Sequence, residues 1–201
     1  DFLTFFIIKS YFVEMIPMII FPSTNKNIVP KKVKKSALFS TILIAILGMT
    51  AAINGELVKA IFGDFCRDAL VMDPTASSIK FEGRVLVAGG WKPGFSTDTD
   101  AVYLARRFGA KTVINLSNVA KVYTDDPRKN PEAVPIDSIS WEDFREMVGD
   151  QWIPGKNVPF DPIASKLAQE AQIKVVCADG RNIENTIAIL NGMPFEGTTI
   201  G

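Results

Sequence analysis

The stretch VLVAGGWKPGFSTDTDAVYLARRFGAKTVINL, Val85 to Leu116, decides the fold. It opens with a short apolar run, Val85 to Gly89, that reads as a strand. A loop of three glycines and a proline follows, and Ser96 or Thr97 can cap the helix that begins there. That helix runs through AVYLARRF, and Gly109 ends it. TVINL, Thr112 to Leu116, is a second buried strand. Strand, glycine loop, helix and strand in that order predict neighbouring parallel strands with a helix across one face. The same alternation continues outward. SWEDFREMVG is a helix capped by Ser140, and DPIASKLAQEA is a helix with Asp161 as cap and Pro162 in its first turn. KVVCA is a strand, NIENTIAILNG a final helix, and TTI a possible edge strand. Upstream, NGELVKAIFGD reads as a helix capped by Asn54 and closed by Gly63. The expectation is an α/β fold with a largely parallel central sheet covered by helices on both faces.

Composition limits the chemistry. Among 201 residues, Lys+Arg and Asp+Glu balance at 22 each, so no net field draws the chain towards nucleic acid or an acidic membrane. There is no histidine. That removes the usual general base and the commonest metal ligand, and with them Ser/His/Asp and Cys/His catalysis. The two cysteines, Cys66 and Cys177, lie far apart beside apolar residues and read as buried, reduced thiols of a cytoplasmic protein. Chemistry must then rest on carboxylates, lysines, backbone amides and a bound cation.

The composition shifts near residue 48. Residues 1–47 hold the apolar runs FLTFFII and MIPMIIF and the basic stretch KNIVPKKVKKS. Ala37 to Ile53 carries no charge and follows four lysines, the pattern of a short membrane span with a cytoplasmic basic flank, although Ser40, Thr41, Gly48 and Thr50 dilute it. A buried helix or strand is the alternative. The chain begins DFL rather than with Met and a basic region, so its start reads as truncated or displaced.

The glycine loop, GGWKPGFSTDTDA from Gly89 to Ala101, lies where a strand hands over to a helix. Amides and the helix dipole favour an anion at such a place. Gly89, Gly90 and Gly94 let backbone approach a ligand, and Ser96 and Thr97 add hydroxyls. An ordinary strand-to-helix turn would account for the same residues. Asp98 and Asp100 fall in the first turn, where any acid stabilises the dipole. Beside phosphate donors Asp98 makes sense if a lysine or Mg²⁺ lies opposite, so that the acid holds the counter-charge of a phosphate. A second group, SNVAKVYTDDPRKNPEA, begins at the end of strand TVINL. Ser117 and Asn118 occupy the strand's carboxyl end, Tyr123 offers a ring for stacking a base, and Asp125–Asp126–Pro127 starts a turn. A third, PGKNVPFDPIASK, places Asp161 at a helix N-terminus. Strand ends are where α/β folds bind ligands.

Together these motifs resemble the uridylate kinase branch of the amino-acid kinase superfamily, in its archaeal style. The resemblance rests on GGWKPGFSTDTDA, INLSNVAKVYTDDPRKNP, PFDPIASKLAQEA and LNGMPFEGTTI, with NGELVKAIFGD and VMDPT as weaker support, and spans residues 48–201. It implies a three-layer αβα sandwich and ATP-dependent phosphorylation of UMP to UDP with Mg²⁺. It also implies that Gly89, Gly90, Trp91, Lys92, Pro93, Gly94, Phe95, Ser96 and Thr97 follow the UMP site, and that Ser117, Asn118, Tyr123 and Asp126 contact ATP. Asp98 would organise catalytic lysines, and Asp161 would be a second acid near the transferred group. No general base is needed, because a UMP phosphate oxygen is already an anionic nucleophile. A cytoplasmic homo-oligomer, a hexamer by resemblance, is expected, with neither a nucleic-acid nor a membrane partner and no protein-built metal site.

Two departures from the family pattern stand out. NVDGVY reads NVAKVY, with Ala120 and Lys121 at the changed positions. Residues 1–47 contain no Gly-Gly pair and no arginine, so the loops that grip the ATP phosphates have no counterpart there. Three expectations follow for that segment: a displaced upstream reading, a divergent start with Lys31, Lys32, Lys34 or Lys35 as cations, or an impaired nucleotide-binding homologue tethered through residues 37–53.

Overall fold

The computed structural model describes residues 4–8, 52–92, 94–151 and 158–201. These fall into two compact units. One comprises residues 4–8 and everything from Phe95 onward; the other holds the described residues from 52 to Gly94.

In the larger unit, five strands make one sheet in the order β1-β2-β6-β7-β5. β1 is Thr4–Ile8, β2 Thr112–Ser117, β5 Ser138–Ile139, β6 Lys174–Asp179 and β7 Thr198–Ile200. β1, β2 and β6 run parallel, with Ile114 opposite both Phe6 and Val176. β7 is antiparallel to β6 and parallel to β5. TTI is therefore an inner strand rather than an edge, because residues 138–139 add a short strand outside it. A separate ladder pairs β3, Val122–Tyr123, with β4, Pro135–Ile136.

The side-chain period of two divides β2 and β6 between two cores. Val113 and Val175 join Val102, Ala105, Phe144, Phe160, Ala164 and Ala168 on one face. Ile114, Leu116, Val176 and Ala178 meet Ile189 on the other. The first face is covered by α2 (Thr97–Phe108), α3 (Trp141–Val148) and α4 (Pro162–Glu170), the second by α5 (Ile183–Leu190). That is the expected three-layer arrangement. Trp141 locks α3 down: its ring meets Phe144 edge-on at 6.1 Å, and its indole N–H donates to the Ile173 carbonyl at 3.2 Å.

The capping signals fold as read. Ser96, Ser140 and Asp161 each accept a backbone N–H from the residue three places on. Gly109 closes α2 at φ 72°, a left-handed geometry that disfavours residues with a Cβ. Neither cysteine forms a disulfide, and both are buried.

In the smaller unit, a helix α1 spans 52–62 and passes into a 3₁₀ turn, Gly63–Phe65. Asn54 lies inside α1 rather than capping it, since Ala52 and Ile53 before it are already helical. Gly63, at φ 53°, does end the α-helical run. VLVAG forms no extended strand: its one ladder contact is the parallel bridge of Val71 to Ala88, and the Val85 N–H donates instead to the Phe65 carbonyl at 2.9 Å. Among the described residues no helix is long and apolar enough to cross a membrane. Most of residues 37–53, the proposed tether, and the lysines at 31–35 lie outside the described residues.

Candidate functional site

α2 and α4 both run back from the carboxyl edge of the sheet towards the starts of β2 and β6. Their N-termini therefore lie on the edge where Ser117 ends β2 and Asp179 ends β6, residues that face each other in register. At that edge the two helix starts are joined. The Asp98 carboxylate, 2 % exposed in the first turn of α2, accepts the backbone N–H of Asp161 at 2.9 Å. Asp161, 5 % exposed, caps α4 by accepting the Ala164 N–H at 2.9 Å. The Thr99 hydroxyl completes the link, lying 3.3 Å from an Asp161 carboxylate oxygen and 3.2 Å from the Ser96 hydroxyl. Two acids 63 positions apart in the chain thus share one buried junction. Each sits on the positive end of a helix, which offsets the cost of burying a charge.

Asn115 supports this junction from below. It is 1 % exposed on β2, on the helix-covered face, and its amide donates to the Pro159 carbonyl at 2.8 Å. That bond ties the segment leading into Asp161 to the sheet. Reading motifs at strand ends passed over Asn115. The signal was a lone amide inside the apolar strand TVINL, costly to bury unless it holds something.

The second group gathers along the same edge. The Ser117 hydroxyl accepts the Val119 N–H at 3.2 Å, and the Ser117 carbonyl accepts the Gly180 N–H at 2.8 Å. Arg181 donates to the Asn118 carbonyl at 3.2 Å and grips the Asp179 carboxylate at 2.6 Å. This Arg181 contact, with desolvation opposing it, holds Asp179 below the ordinary carboxylate range. Asp179 and Arg181 were also missed, although DGR directly follows strand KVVCA and the strand-end rule applies to it equally. Tyr123 lies in β3, and Asp126 opens the turn beyond it. The Asp126 carboxylate takes the Arg128 N–H at 3.0 Å and its guanidinium at 3.1 Å, contacts that lower its pKa. Lys121, at a changed position of the family motif, pairs with Asp137, which raises the lysine's pKa.

Of the loop residues 89–97, Phe95, Ser96 and Thr97 belong to the larger unit and Gly89 to Gly94 to the smaller. Pro93 lies outside the described residues. Gly89 donates to the Val71 carbonyl at 2.9 Å, and the Lys92 ammonium lies 3.7 Å from the centre of the Trp91 ring. Gly94 adopts φ 89°, so glycine is required there. Asp73 accepts the Thr75 hydroxyl and N–H at 2.6 and 2.8 Å; these bonds, with lesser help from the Lys92 charge, hold its pKa low.

A largely parallel sheet with helices on both faces brings helix starts and strand ends to one edge, the place where such α/β folds bind ligands. Residues 36–179 match the model of the amino acid kinase family, and the chain belongs to that family. It is 38% identical over 109 residues to a uridylate kinase of Pyrobaculum neutrophilum, covering 54% of this chain and 50% of the relative. It is 32% identical over 152 residues to a uridylate kinase of Pyrobaculum calidifontis, covering 73% and 69%. The chain therefore spans about half to two thirds of the length of these curated relatives. Among solved structures, it superposes on a uridylate kinase from Archaeoglobus fulgidus with a TM-score of 0.62 at 30% identity, covering 74% of this chain and 67% of that one. A UMP kinase from Bacillus anthracis, 16% identical, shares the fold with a TM-score of 0.63 over 84% and 75% of the two chains.

Proposed function

We propose that residues 48–201 form the kinase-like region of a nucleoside monophosphate kinase that transfers the γ-phosphoryl group of ATP to UMP, giving UDP and ADP. The observation that carries this reading is the buried junction of Asp98 and Asp161 at two joined helix N-termini. A UMP phosphate oxygen attacks the γ-phosphorus and forms the new O–P bond. The bond from the γ-phosphorus to the β,γ-bridging oxygen breaks, and that electron pair leaves with ADP. No proton must be removed first, so a chain without histidine is adequate.

In this reading Trp91 to Thr97 are the candidates for contact with UMP, with Gly89 and Gly90 as supporting residues. Ser117, Asn118, Tyr123 and Asp126 hold ATP. Asp98 and Asp161 orient cationic groups that neutralise charge as it develops between donor and acceptor. Magnesium belongs to the reaction as the counter-ion carried by the ATP phosphates. Among the described residues no group of three acids or thiols is placed to hold a metal ion. The similarity to uridylate kinases also supports a cytoplasmic homo-oligomer.

The test is direct. The protein is incubated with ATP, Mg²⁺ and UMP, CMP or AMP in turn, and ADP is followed. Turnover favouring UMP is the expected result. No ADP formation with any of the three acceptors removes the enzyme reading, and calorimetric UMP binding without turnover would convert it to that of an impaired homologue.

A further inference from the structure

Thr198, in β7, is fully buried, yet its hydroxyl serves two segments distant in the chain. It accepts the Val122 N–H at 2.8 Å and donates to the Ile136 carbonyl. Val122 and Ile136 are the facing residues of the β3–β4 ladder, which lies outside the main sheet. One side-chain oxygen therefore stitches that ladder to the sheet. Further along the ladder, Thr124 donates to the Val134 carbonyl at 3.0 Å, and its hydroxyl accepts the Val134 N–H at 3.0 Å. Tyr123 lies between the stitched residue and this second clamp, and Asp126 sits in the turn that the ladder carries.

We propose that Thr198 is a positioning residue for the donor nucleotide, fixing through Val122 and Ile136 the ladder that presents Tyr123 and Asp126. This assignment rests on the reading above that Tyr123 and Asp126 hold ATP. A hydroxyl is needed because both partners are backbone groups of opposite kind, one donor and one acceptor, and Thr198 Oγ1 satisfies both at once. Valine has the same shape but leaves the buried Val122 N–H and the half-buried Ile136 carbonyl facing a methyl group. Other contacts near the ladder, the Lys121–Asp137 ion pair and the Thr199 N–H to the Asp137 carbonyl at 2.9 Å, flank it without replacing that bridge.

The experiment compares the full chain with Thr198→Val and Thr198→Ser. Calorimetry measures affinity for a non-hydrolysable ATP analogue and, separately, for UMP. Thr198→Val should weaken the analogue by at least about tenfold, the scale of one unsatisfied buried group. UMP affinity should stay within about twofold, and Thr198→Ser should restore the analogue's affinity. If the valine variant folds and binds the analogue normally, or loses both nucleotides alike, the assignment is wrong. Should that variant not fold, hydrogen exchange on the unaltered chain decides. The analogue should slow exchange of the Val122 and Thr124 amides and UMP should not; binding of the analogue with unchanged exchange overturns the proposal. A chain that binds neither nucleotide refutes the kinase reading itself, and this assignment with it.

Discussion

At the scale of single residues, the Asp98–Asp161 junction separates charge from hydrogen bonding. Asparagine can still cap α4 through its carbonyl oxygen, so Asp161→Asn should cost no more than about 1 kcal/mol of stability. On the proposed reading, in which Asp161 lies near the transferred group, turnover should nevertheless fall by roughly 10²-fold or more through loss of a fixed charge. Urea denaturation and kcat at saturating ATP and UMP measure the two effects, and undiminished turnover would remove Asp161 from the catalytic machinery. Asp179 offers a pH test. Arg181 depresses its pKa in the folded state, so its contribution is present above the ordinary value of 3.8 and is lost as pH falls through the lower folded value. Carbon-detected NMR titration should place the Asp179 midpoint below 3.8. Arg181→Ala should raise that midpoint, and no change would mean the pair does not form in solution.

The helices obey rules written within a few residues of their ends. α2 is bounded by Ser96, whose side chain accepts the Thr99 N–H, and by Gly109 at φ 72°. Ser96→Ala should cost about 1 kcal/mol through the lost cap. Gly109→Ala should cost about 1–2 kcal/mol through left-handed strain. The two ends of a 12-residue helix lie roughly 18 Å apart, too far to share partners. The double variant should therefore lose the sum, within about 0.5 kcal/mol, in urea denaturation. A clear shortfall would show that the two ends of α2 are coupled, so that losing one cap already loosens the other. α1 shows the limit of such rules, because the helix already includes Ala52 and Ile53 ahead of Asn54, the residue that reads as its cap.

For the molecule as a whole, β1 covers one edge of the sheet by pairing with β2 from Thr4↔Thr112 to Ile8↔Leu116. Removing residues 1–8 would leave β2 as an edge with unpaired amides and carbonyls on an apolar strand. Light scattering should then detect aggregates larger than any assembly the intact chain forms. A truncated chain that stays dispersed would mean the pairing contributes little to shielding β2. The order β1-β2-β6-β7-β5 also explains why the carboxyl edge collects Asp98, Asp161, Ser117 and Asp179. Parallel strands fed by helices of one sense bring the ends of β2 and β6 and the starts of α2 and α4 to the same side.

Much of this was legible in the sequence. Ser96, Ser140, Asp161 and Gly109 marked helix ends through contacts with near neighbours, and apolar runs marked β2 and β6. The motif residues Asp98, Asp161, Ser117 and Asn118 lie in the large unit at helix starts and a strand end, as the strand-end rule implies. Other features came only with the folded chain. The Asp98–Asp161 hydrogen bond, the Asn115 hold on Pro159, the double role of Thr198 and the inner place of β7 join residues tens of positions apart. Local patterns report on groups that meet within a turn or a strand pair. A buried amide or hydroxyl takes its partner from wherever the chain returns, so its role is set by the path of the backbone and by the cost of leaving a polar group unsatisfied.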